Sequence, residues 1–75
     1  MERILEIINL IKLNKGEQPI AKLNLEDHLK DNIGFNSFDL AELTVRIEDV
    51  FDIDIFENGI INTVGEIIDK LNDNQ

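Results

Sequence analysis

Without a single cysteine, this chain has neither a disulfide nor a thiolate zinc site to staple it, and that limits its possible folds more than any other feature. At 75 residues it has room for one small domain, spanning 1–75, with a thin stability margin. Its one histidine, His28, cannot assemble a nitrogen-ligand metal centre alone. The core must therefore come from well-packed aliphatic side chains. Ile and Leu are abundant, and the aromatics are confined to Phe35, Phe38, Phe51 and Phe56.

Apolar spacing arranges those aliphatics on helices. In the first segment Ile4, Leu5, Ile8 and Ile11 share a face, and Ile7 and Leu10 widen it; Lys15 and Gly16 suit the exit. A long connection follows over 16–36, broken early by Gly16 and Pro19. Within it Asn24 is placed to cap one short turn, and Leu29, Ile33 and Phe35 are expected to fasten the loop to the core. A second helix is predicted from Ser37 to Phe51, capped by Asn36 or Ser37, with Leu40, Leu43, Ile47 and Val50 as its core stripe. Glu42 and Arg46 stand at the i, i+4 spacing that favours an ion pair. Asp54 is expected to cap a brief irregular helix that Gly59 weakens. Thr63-Val64-Gly65-Glu66 matches a capping box, and Val64, Ile67, Ile68 and Leu71 continue as the last helix's apolar stripe. Period-two alternation is scarce, so the fold class is all-α: a small bundle of three main helices plus one short one, with a long loop between the first and second.

The formal net charge of -9 narrows the partners. Residues 1–36 hold five basic and six acidic residues, a net of -1, whereas 37–75 hold two basic and ten acidic, a net of -8. Nucleic acid and anionic membrane surfaces are poor matches for such a field, and basic protein surfaces are good ones. No apolar run reaches the length of a membrane span, so no membrane insertion is expected. The amino-terminal residues do not read as a secretory signal, and a cytoplasmic setting is expected. Nothing in the pattern calls for an obligate oligomer, and a monomer is expected.

Two features of the second helix stand out. Phe38, Ala41 and Val45 line the side opposite its core stripe, rimmed by Glu42, Glu48, Asp49 and Asp52. A helix in a small bundle needs one apolar face, so a second one suggests a partner site. The alternative is that Ala41 and Val45 are incidental and Phe38 folds back over the bundle. Ser37 stands at the entrance of the same helix, where free amides and the positive dipole end favour a phosphate. Taken alone, the position favours an ordinary capping or first-turn serine, because Ser is common there.

The run Gly34-Phe35-Asn36-Ser37-Phe38-Asp39-Leu40-Ala41-Glu42-Leu43 resembles the acyl carrier protein signature, a Gly-x-Asp-Ser-Leu sequence opening a helix with a Glu-Leu pair. Ile47-Glu48-Asp49-Val50-Phe51-Asp52-Ile53 resembles the end of that helix, and Thr63-Val64 with the Ile-rich segment after it resembles the last one. The likeness is strongest over 25–71. It implies that a phosphopantetheinyl transferase attaches 4'-phosphopantetheine to Ser37, and that acyl groups ride as thioesters on the arm's thiol. It also implies that acyl-loading and acyl-processing enzymes with basic patches read Phe38, Asp39, Ala41, Glu42, Val45 and Glu48. The chain itself is then not an enzyme. Fatty acid, polyketide or specialised pathways all fit, as does an aminoacyl or peptidyl carrier. An unmodified acidic helical adaptor is the alternative from another class.

The sequence departs from the signature at two places. Asn36 replaces the usual Asp before the serine, which keeps a cap but removes a charge that bears on transferase recognition. Phe38 replaces the usual Leu after it, putting an aromatic ring at the foot of the arm. Asp52-x-Asp54 starts like a calcium loop and fails, because Phe56, Glu57 and Thr63 stand where a ligand, a turn glycine and a bidentate glutamate belong.

Overall fold

The computed structural model describes residues 2–57 and 59–73, without the side chain of Asp73. Three helices follow in order: α1 (Glu2–Asn14), α2 (Ser37–Phe51) and α3 (Val64–Asp73). The described residues form no strand, and one isolated antiparallel bridge joins His28 to Thr63. The Cα radius of gyration, 11.3 Å, matches the roughly 11 Å of a compact chain of this length.

α1 buries Ile4, Ile7, Ile8 and Ile11, α2 buries Leu43 and Ile47, and α3 buries Val64, Ile67 and Leu71. Each fully buried side chain contributes about 1.5–3 kcal/mol relative to exposure. Two expected core positions lie elsewhere. Leu10, on the far edge of the α1 arc, is exposed, and so is Val50. Val50 falls in the last turn of α2, where the half-buried Phe51 and Ile53 cover the end of the core instead.

The connections are part of the core. Leu23, Leu29, Ile33 and Phe35 of the long loop are buried, as are Ile55 and Ile61 of the stretch between α2 and α3, so both connections contribute side chains to the core. The middle of the long loop docks on the entrance of α3. Val64 N donates to Asp27 O at 3.0 Å, Gly65 N to Leu25 O at 2.8 Å, and Leu29 N to Asn62 O at 2.8 Å. The loop thus supplies acceptors to first-turn amides of α3, which a helix cannot satisfy itself. Gly65 permits this approach, since a Cβ there would stand 2.9 Å from Leu25 O.

The short turn expected after Asn24 is present, whereas the brief helix expected after Asp54 is a turn in the described residues. Asp27 N donates to Asn24 O while Asn24 N donates to the Asp27 carboxylate, closing a tight loop. Phe56 N donates to Asp54 Oδ1 at 3.0 Å, a local bond that competes with helix formation. The start of α3 follows the expected box: Glu66 N donates to Thr63 Oγ1 at 3.3 Å, and Thr63 N to Glu66 Oε1 at 3.0 Å.

Candidate functional site

The entrance of α2 is a reciprocal capping box. Asn36 is extended, at φ -92° and ψ -178°, and its Oδ1 accepts from Asp39 N at 2.9 Å. Asp39 Oδ2 accepts in return from Asn36 N at 3.0 Å. Ser37 is therefore the first helical residue. It is exposed, and among the described residues no hydrogen bond engages its hydroxyl. The box uses the amides of Asn36 and Asp39, leaving those of Ser37 and Phe38 for solvent or an anion.

Lys15, just past α1, reaches this box. Its Nζ donates to Asp39 Oδ2 at 2.6 Å and lies 5.7 Å from the centre of the Phe35 ring. Burial pushes the Asp39 carboxyl up, but the hydrogen bonds from Lys15 and Asn36, with the charges of Lys15 and Lys12, outweigh it and hold it below the usual aspartate range. Its hydrogen bond to Asp39 raises the Lys15 ammonium in turn. Glu17 lies low because Lys12 and Lys15 both pair with it, each at 3.3 Å.

The outer face of α2 carries the second apolar stripe in the open. Phe38 is 81% exposed and Val45 66%, with Ala41 exposed between them. Phe38 does not fold back over the bundle. Phe38, Ala41, Val45 and Glu42 outline a shallow hollow, and Val45, Glu48, Asp49 and Asp52 outline another beside it. Glu42 pairs with Arg46 at 2.8 Å, as its spacing predicts. Asp39 stands apart from this set: it is only 4% exposed, and its carboxylate is held by Lys15 and Asn36.

On the other flank Ser37 borders a cleft of about 470 Å³ whose apolar lining includes Leu29, Leu40, Ala41, Phe56, Ile60 and Ile61. Leu40, expected in the core, is half-buried because it fronts this cleft. Lys12, Lys15 and the cleft were not anticipated from sequence. Lys12 had a signal, since it continues the i, i+4 row of Ile4 and Ile8. The cleft had none, because Phe56 and Ile60 reach it through irregular turns. Among the described residues no cluster of three or more His, Asp or Glu side chains is arranged for a metal, and no helix is long and apolar enough to cross a membrane.

A small helical fold with an unengaged hydroxyl at the head of an acidic helix has the layout of a carrier for a tethered group. The phosphopantetheine attachment site family matches residues 3–71. An acyl carrier protein of Amoebophilus asiaticus (strain 5a2) is 40% identical over 53 residues, covering 68% of this chain and 66% of that relative. No solved structure matches. The chain belongs to the acyl carrier protein family, whose members hold 4'-phosphopantetheine covalently, and is a phosphopantetheine carrier. The entrance of α2 fits that group: an accessible hydroxyl, two unused amides and an adjoining apolar cleft stand together.

Proposed function

We propose that Ser37 is the attachment point of the 4'-phosphopantetheine arm, and that the protein carries acyl groups as thioesters between enzymes of a fatty acid, polyketide or specialised pathway. The observation that carries this reading is the Ser37 hydroxyl, exposed and unengaged at the first position of a capped helix. Its oxygen attacks the pantetheine-side phosphorus of coenzyme A within a phosphopantetheinyl transferase; the pyrophosphate P–O bond breaks, adenosine 3',5'-bisphosphate leaves, and the serine proton passes to a base of the transferase. The arm, once bound, supplies the thiol that this cysteine-free chain lacks. The amides of Ser37 and Phe38, at the positive end of the helix dipole, favour the phosphodiester.

Partner enzymes read the outer face of α2. Phe38, Ala41 and Val45 supply the apolar centre, and Glu42 and Glu48 steer toward Lys and Arg patches. Asp39 supports the serine's helix instead of the docking contact. The catalytic groups belong to the partners. Treating the protein from its native cells with neutral hydroxylamine tests this reading. A carrier releases its cargo as a hydroxamate, whose chemical class separates acyl from aminoacyl loading. A chain with no arm and no labile mass under any growth condition contradicts it.

A further inference from the structure

Ser37 lies between two anchors, both supplied by lysines at the exit of α1. Lys12, largely buried, donates from Nζ to the Ile33 carbonyl at 2.8 Å. Lys15 donates to Asp39 Oδ2 at 2.6 Å, and that same oxygen accepts from Asn36 N at 3.0 Å. The chain on both sides of the serine is thus tied to the exit of α1, while the serine hydroxyl is unengaged. Asp39 is also a carboxylate two residues from a hydroxyl that must receive an anionic phosphate. Left unpaired, it would oppose that approach. Lys15 meets it in direct contact.

We propose that Lys15 is a positioning residue for group transfer at Ser37: by binding and neutralising Asp39 it holds the capping box that places the serine, and it removes a negative charge from the path of the phosphate. This inference rests on Ser37 being the attachment point. Lys15 acts through Asp39 and Asn36 and touches no substrate itself.

The test follows intact mass of the full chain with coenzyme A, magnesium and a phosphopantetheinyl transferase, over a range of carrier concentrations. The proteins are wild type, Lys15→Arg, Lys15→Met and the pair Lys15→Met with Asp39→Asn. Met keeps an apolar stem beside Phe35 without charge, and Asn at 39 keeps an acceptor for the Asn36 amide. Lys15→Met is expected to lower kcat/KM on the order of fivefold with helical circular dichroism unchanged. Lys15→Arg stays within about twofold, because the charge and donors persist. The pair regains most of the loss, because the carboxylate that Lys15 neutralised is then gone; a loss of kcat/KM at unchanged helical content is what a lysine with a merely structural role would not give. Amide exchange is a second readout that needs no transferase. The Leu40 amide, which donates to Asn36 O at 3.0 Å, exchanges on the order of tenfold faster in Lys15→Met while α3 amides do not change. Wild-type kcat/KM in Lys15→Met, unchanged exchange at Leu40, or a loss that the pair does not relieve overturns the inference. A wild-type chain that gains no mass overturns the attachment reading first, and this inference with it.

Discussion

Asp39 accepts from the Asn36 amide and the Lys15 ammonium with one oxygen, so its protonation weakens two interactions together. A carboxyl held below its ordinary value of 3.8 lends stability that is present above that value and is lost as pH falls through the folded-state value. Lys15, raised above 10.5, lends stability that is present below that value and is lost as pH rises through its own folded-state value. The clamp is therefore intact across the neutral range. Asp39→Asn should cost on the order of 1 kcal/mol at neutral pH by urea unfolding, and its curve should converge on wild type well below pH 3.8. A gap that persists unchanged in acid would contradict the clamp. At Gly65 a Cβ would press on the Leu25 carbonyl, a backbone atom that cannot swing aside. Gly65→Ala should destabilise by about 1 kcal/mol, the clash exceeding the gain in helix propensity. A raised melting temperature would show that the loop yields there.

α2 is charged against its own dipole at its carboxyl end. Glu48 and Asp49 are exposed there, Asp52 follows in the left-handed conformation, and the last turn holds no basic residue. Acids at that end cost about 0.3–1 kcal/mol each. Glu48→Gln and Asp49→Asn should therefore each raise stability by a few tenths of a kcal/mol in thermal unfolding. Glu48→Gln should also slow reactions with partner enzymes at low salt. Stability and partner rate moving down together would mean that these acids serve the fold instead. The bounds of α1 and α2 and the capping box of α3 were legible in the sequence, because apolar spacing and capping residues agree there. The turns after Asp54 were not, since one side-chain bond to Phe56 N diverts a stretch rich in helix-compatible residues. Lys15 was not legible either, because its partner Asp39 is distant in sequence and reads as a first-turn acid.

Across the molecule, a net of -8 on residues 37–75 makes the carrier half both self-repelling and attractive to basic surfaces. Salt should act on these in opposite directions. Raising ionic strength from low values to about 0.2 M, where the Debye length falls below about 10 Å, should raise the unfolding midpoint while lowering the rate of partner reactions. Two responses of the same sign would contradict electrostatic docking. The overall architecture was readable because three amphipathic stripes leave few ways to bury them. The loop's share of the core was readable in part, through Leu29, Ile33 and Phe35. Its docking on α3 was not, because it runs through backbone groups that carry no residue signature.

The central claim is tested most directly by the intact mass of the chain after incubation with coenzyme A, magnesium and a phosphopantetheinyl transferase. Wild type should gain the mass of one phosphopantetheine group and Ser37→Ala should gain none, at equal helical content. An unchanged wild-type mass with transferases of differing specificity, or the same gain in Ser37→Ala, would contradict it.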